Sequence, residues 1–474
     1  MFSPEEYTII CAWLPRLLGA IYLFAFWPFL FQMRGLLGNK GILPVSDYLA
    51  WIRRLCPKSW FRVCPTLFWL RSDDRALIAV VVAGIACSIL LILGLLPSLM
   101  LLFCWILYCS IISIGQDFLS FGWELFLQEV ALNIFLVSLS PTPNIMVWLS
   151  INFLLFRFYL QSGAVKLQSR DPSWRNLTAV AYHYESQPIA NLTAWYVHKL
   201  PMWFHKCSCV IMYIIEMVVP FLLFFTEDMR LVACALFLSL QFFIYATGNF
   251  SYLNHLSAVF SLLPLNNRVL HAFGFSLPEQ ASSPEVVEYA LTVAGSVLLV
   301  LQALRLWNHF WPTRALHSFF NALGSCHIVN RYGIFAVMTC RRFEVVIEGS
   351  DEGIAWKEYD FYHKPTDLKR RPRRISPYQP RLDWQAWFLP FHNCSDQRWF
   401  QNFLAHLLQG TPEVLSLLRY NPFPDKPPQY VRALMYVYSF TTFEEKEKTG
   451  AWWKREYVGF YSPVFNLIKK PDSL

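Results

Sequence analysis

Residues 76–115 read ALIAVVVAGIACSILLILGLLPSLMLLFCWILYCSIISIG and contain no charged residue. As one helix this run would be about 60 Å long, roughly twice the hydrocarbon core of a bilayer. It must turn back on itself. Pro97 lacks a backbone N–H and clashes with the preceding turn, so the break is expected there. That gives spans near 76–96 and 98–115. Working outward, the same reading finds apolar runs near 9–31, 124–140, 145–167, 208–226, 231–247 and 289–310. A shorter run, 252–265, reads as a short or tilted span or a re-entrant segment. The fold class expected is a polytopic α-helical membrane protein of eight or nine spans with a C-terminal soluble β-rich domain. The first run follows an acidic leader, Glu5 and Glu6, and is long for a signal core, so it is expected to stay as an anchor.

Composition points the same way. Of 474 residues, 55% are apolar and only 15% are charged, against about 25% charged in a soluble domain. Aromatics at 17% exclude a disordered chain. More than half of the charged residues lie in 311–474, about a third of the chain. Residues 1–310 therefore read as a transmembrane bundle and 311–474 as a soluble domain. The net charge of +8 comes without a nucleic-acid motif, so no nucleic-acid partner is expected.

Nine spans would put the polar pieces 32–75, 168–206 and 311–474 on one side, with an even number of crossings between each pair. Basic residues Arg34, Arg71 and Arg75 argue for a cytoplasmic side. Glycosylation sequons at Asn176, Asn191 and Asn393, with Asn249 at a membrane edge, argue for an exported side. Several ionisable residues fall inside the apolar runs, among them Arg16, Glu124, Glu129, Arg157, Lys166 and Glu216. Each costs a few kcal/mol at mid-bilayer. They are expected to pair, as Arg157 with Glu124 or Glu129.

In the polar part, residues 334–348 and 354–361 flank the turn Glu348-Gly-Ser-Asp-Glu-Gly353 and read as a β-hairpin. Residues 398–419 have helical spacing broken at Gly410-Thr-Pro412, and 430–440 and 452–461 read as strands. Lys369-Arg-Arg-Pro-Arg-Arg374 is a solvated basic loop or a lipid- or partner-facing patch. Twelve cysteines include no CxxC pair. On an oxidising side Cys56 and Cys64 could form a disulfide; free buried thiols are the alternative. Nucleotide, hydrolase and metalloprotease motifs are absent, and His183, His198 and His205 lack metal-ligand spacing. No metal and no cofactor is expected. The spans show no internal repeat, which argues against a transporter.

Several segments carry a resemblance. They include Arg34-Gly-Leu-Leu-Gly-Asn-Lys-Gly-Ile-Leu-Pro44, Ser162-Gly-Ala-Val-Lys-Leu-Gln-Ser-Arg-Asp-Pro-Ser-Trp174 and Tyr182-His-Tyr-Glu-Ser-Gln-Pro188. The polar part adds Asn330-Arg-Tyr-Gly-Ile-Phe-Ala-Val-Met338, Gln379-Pro-Arg-Leu-Asp-Trp-Gln-Ala-Trp387 and Trp452-Trp-Lys-Arg455. In this order they resemble the lipase maturation factor family over most of the chain. The resemblance implies a multi-pass protein of the endoplasmic reticulum membrane with a lumenal C-terminal domain. In a bacterial source it would lie in the cytoplasmic membrane. It further implies a non-enzymatic, chaperone-like role toward secreted lipases of the lipoprotein lipase kind. Trp356, Trp384, Trp387, Trp452 and Trp453 are then the candidates for contact with a client, since aromatics and arginine dominate binding hot spots, though they fill cores equally well. Around Lys166 the chain is also similar to vitamin K-dependent carboxylase-type membrane proteins, which implies the alternative of a membrane enzyme with Lys166 as base; the bland reading is a lysine at the end of its span.

Overall fold

The computed structural model describes residues 3–276, 283–333 and 335–467. The bundle helices are α1 (Pro4–Phe26), α2 (Asp74–Ile92), α3 (Pro97–Ile114), α4 (Gly122–Val137), α5 (Ile145–Gln168), α6 (Met202–Phe224), α7 (Glu227–Thr247), α8 (Leu253–Phe260) and α9 (Glu285–Phe310). Among the described residues seven of these are long and apolar enough to cross a membrane. The turn between α2 and α3 falls where the proline places it: Gly94 takes φ +77°, which a side chain would resist, and Pro97 opens α3.

The two remaining expected spans are realised by shorter elements. α4 has 16 residues and α8 only 8. α4 still runs from one end of the bundle to the other. Trp123 at its start packs on Trp384 of the C-terminal part, and Ser138 just past its end donates to Ser98 at the start of α3. The segment holding α8 does the same in a broken path: Ser376 donates to the Ser251 carbonyl at one end, and Asn267 donates to the Glu5 carbonyl at the other. Short elements suffice because neighbouring helices, not lipid, surround them; α4 is buried along most of its length.

The polar pieces lie together. Asn402 and His406 bond the carbonyls of Ile42 and Gly41 in the first loop. Arg342 donates to the carbonyls of Gln187 and Pro188 in the second. The C-terminal part therefore sits on both long loops, at one end of the bundle.

Its sheet is antiparallel, with order β2–β1–β3–β4 from β1 (Arg342–Ser350), β2 (Lys357–Glu358), β3 (Tyr430–Phe440) and β4 (Trp453–Phe460); β5 (Phe465–Asn466) also pairs with β3. The hairpin expected from 334–361 forms, but its first strand begins at Arg342. The segment before it is drawn to the bundle, where Phe335 meets His183 and Phe250 edge-on. One sheet face carries Val345, Ile347, Val431 and Ala433 into the core with α10 (Arg398–Gln409), whose end at Gly410 takes φ +68°. That core is continuous with the bundle core, so the C-terminal part packs directly against the bundle.

Ion pairs stitch the junction. Glu124 of α4 accepts from Arg381 of the C-terminal part at 2.9 Å, from Tyr252 at 2.5 Å, and from Tyr108. One turn on, Glu129 takes Arg157 of α5, the Asn330 backbone N–H at 2.7 Å and Tyr332 at 2.5 Å. The pairing of Arg157 with Glu129 was expected; Arg381 was not. Removing one partner of such a pair leaves a bare buried charge. Arg381→Met is expected to destabilise the protein by about 3–5 kcal/mol, read as a lower unfolding temperature in detergent. Adding Glu124→Leu to it should restore most of the loss.

Candidate docking surface on the C-terminal sheet

The outer edge of β4 has no strand partner among the described residues. Of its eight residues only Trp453 is buried, while Tyr457 and Phe460 are 55% and 61% exposed. A bulge at Met435 and Tyr436 shifts the register between β3 and β4, which increases local twist. An exposed apolar edge is the usual template for pairing with another chain.

Beside this edge, aromatic rings and arginines interleave. The Arg432 guanidinium lies 3.9 Å above the Trp356 ring and 5.8 Å from Phe460, held by Glu348 at 2.7 Å. Arg455 lies 4.6 Å above Tyr436 and is held by Glu358 at 2.5 Å; Tyr436 in turn meets Tyr457 at 5.6 Å. The arginines are fixed by carboxylates, so their flat faces are set before any partner arrives. Arginine, tyrosine and tryptophan on a pre-ordered surface are the make-up of a contact hot spot.

The five sequence-selected tryptophans do not act together. Trp356 belongs to this surface. Trp384 is buried against Trp123 and Phe121, and Trp453 is buried against Phe440 and under Arg342. Both are core residues, because the largest apolar side chains gain most from burial. Trp387 is half-buried, its indole donating to the Ser186 carbonyl at 3.0 Å. Trp452 is half-buried between Trp195 and the Lys446 ammonium. The surface residues that sequence reading missed are Arg432, Tyr436, Arg455, Tyr457 and Phe460. Tyr457 and Val458 are consecutive, so their side chains take opposite faces of the strand, and the structure leaves both exposed, which nothing local in the sequence announces.

The remaining candidates separate clearly. Asn176 and Asn393 are exposed. Asn191 is buried, capping the helix Leu192–Val197 and donating to the Ala246 carbonyl, and Asn249 is buried and donates to the Arg373 carbonyl. A glycan on either would break those bonds. Cys56 and Cys64 are separate thiols in the structure, so the disulfide reading is not realised there. Cys64 donates to the Ser113 carbonyl, and burial pushes its thiol up to about 12. The basic loop is strapped to the end of α7: Arg374 donates to the Ala246 carbonyl and lies 4.6 Å above Tyr245. Lys166 is buried, its ammonium 2.5 Å from Glu216 and 3.0 Å from the Ser162 carbonyl.

Exposure separates two kinds of aromatic on β4. Trp453→Ala is expected to cost about 3–5 kcal/mol of stability, whereas Tyr457→Ala should stay within about 0.5 kcal/mol of the parent. Parallel thermal melts of the purified variants check this.

Comparison with known proteins completes the picture. A family model described as the lipase maturation factor transmembrane domain matches residues 10–272, and one described as the lipase maturation factor C-terminal domain matches 328–463. Lipase maturation factor 1 of Homo sapiens is 34% identical, covering 98% of this chain and 90% of its own. Lipase maturation factor 2 of Gallus gallus is 31% identical, covering 95% of this chain and 80% of its own. Nothing in these comparisons supports the carboxylase alternative, and no solved structure matches the chain. With the bundle and the sheet each matched by a model of its own, and relatives aligned across nearly the whole chain, the protein belongs to the lipase maturation factor family.

Proposed function

We propose that this maturation factor acts on secreted lipases of the lipoprotein lipase kind, and that it receives them on the β4 edge and the face around Trp356 and Arg432. The names of the relatives support the client class. The observation that carries the docking site is the unpaired edge of β4, with Tyr457 and Phe460 exposed beside arginines already held in place. A folding lipase exposes apolar segments and unpaired strands. A fixed strand edge offers such segments backbone hydrogen bonds, and its aromatic side chains add contact area.

The reading includes a location. Secreted clients fold in the endoplasmic reticulum, so the sheet and both long loops face its lumen, and the bundle holds them in its membrane. Exposed sequons at Asn176 and Asn393 on that side support this orientation. The membrane helices hold the sheet in place, and chemistry is not required of them. The partners are the bilayer and the client, with no nucleic acid.

Co-expression with a secreted dimeric lipase tests the proposal. The double variant Tyr457→Arg/Phe460→Arg should cut secreted lipase activity and dimer yield by at least about tenfold, since losing even one hot spot of about 2 kcal/mol weakens binding about thirtyfold. Its own abundance and melting should not change. Equal lipase output from parent and variant would remove the docking site from the sheet. Orientation is read separately. Asn176→Gln and Asn393→Gln together should abolish an endoglycosidase-sensitive mass shift, and a parent chain with no glycan on either Asn176 or Asn393 would count against the lumenal placement.

A further inference from the structure

A cavity of about 610 Å³ lies between α6 and α7, in the half of the bundle next to the C-terminal part. Its volume is in the range of small-ligand sites. Its walls are apolar side chains of α6 and α7, including Ile211, Ile215, Leu236 and Leu240. Its roof is the second polar loop, through Trp174, Val180 and Tyr184, with Phe335 and Met338 from the segment before β1. The roof is fixed: Trp174 donates to the Phe335 carbonyl at 2.9 Å, and Asp171 accepts from the Met338 N–H at 2.6 Å.

Two features decide what can enter. Ile211, Phe242 and Phe243 line the cavity yet are 56%, 63% and 65% exposed. They stand on spanning helices, so what they face is lipid, and the cavity opens sideways into one leaflet. Its lining includes one ion pair among the described residues, Lys166 with Glu216. His183 also lines it, but burial and the nearby Lys166 charge hold its imidazole down at about 4, so it is neutral at ordinary pH. The Lys166 ammonium donates two of its three hydrogens, to Ser162 and Glu216. The third is matched to no oxygen or nitrogen acceptor among the described residues, and the Trp174 ring on the cavity wall lies 5.6 Å from the ammonium.

We propose that this cavity binds one acyl chain of a lipid from the adjoining leaflet, with the carbonyl oxygen at the head of the chain accepting a hydrogen bond from Lys166. An apolar wall open to a bilayer is met by hydrocarbon rather than water. A chain with an oxygen at its end satisfies both the wall and the remaining donor. That head belongs either to a free fatty acid or to an acyl ester, which share this chemistry. The site is separate from the docking surface and does not depend on how clients are recognised.

The test uses the purified full-length protein in lipid nanodiscs and two photoreactive probes, a diazirine analogue of palmitic acid and its glycerol monoester. Saturable labelling of cavity residues on α6 and α7, displaced by unlabelled palmitic acid or its ester, supports the proposal. The probe that labels shows which head is accepted. Leu240→Trp fills the cavity, and Ser239→Trp blocks it from a position already exposed, should the first variant fold poorly. Either folded variant should lose about tenfold in probe affinity, with Ser239→Ala as the control. Labelling that never saturates, or that is unchanged in the folded tryptophan variants, overturns the proposal and marks the probe as bulk lipid around the helices.

Discussion

The carboxylate of Glu124 holds the molecule together. It lies on α4, shielded from both water and lipid, and it collects donors from three distant parts of the chain: Tyr108, Tyr252 and Arg381. A buried carboxylate is tolerable only when paired and fully bonded. Because its cation comes from the C-terminal part, the bundle and the sheet are interdependent. Glu129, also buried in α4, repeats the arrangement with Arg157 and the backbone of Asn330. The short central helix is thus the point at which the polar part is fastened into the membrane part.

That fastening explains the continuous core. A tethered soluble domain would bury its apolar face within itself. Here Trp384 packs on Trp123 of α4, and the loop of Arg34 to Pro44 meets α10. The consequence is rigidity at the place where it matters. The sheet is held at one end of the bundle, and the edge of β4 opposite its pairing with β3 has no strand partner among the described residues. A strand edge offered in a fixed orientation binds without first being ordered, and it is that ordering that weakens most flexible docking segments.

Burial also sorts the chemistry. Lys166 and Glu216 pair beneath a fixed roof, which makes them a polar group in the wall of an apolar cavity. Arg432 and Arg455 are likewise held by carboxylates, but on an open face. The same kind of ion pair therefore sits in different surroundings: buried beside an apolar cavity in one case, on a solvent-facing surface in the other.

The sequence by itself determined the membrane class, the fold-back at Pro97, the strands at 430–440 and 452–461, and the helix ending at Gly410, because each depends on local apolar period or on a single backbone restriction. It also determined the family likeness. Tertiary structure decided which charges meet, because Arg381 lies 257 positions from Glu124 and nothing local to either announces the other. It decided which aromatics are surface and which are core: Trp453 and Tyr457 share a strand, but only the first has Phe440 and Arg342 packed against it. It also shortened the spans at α4 and α8, since a helix shielded by protein on all sides need not match the thickness of a bilayer.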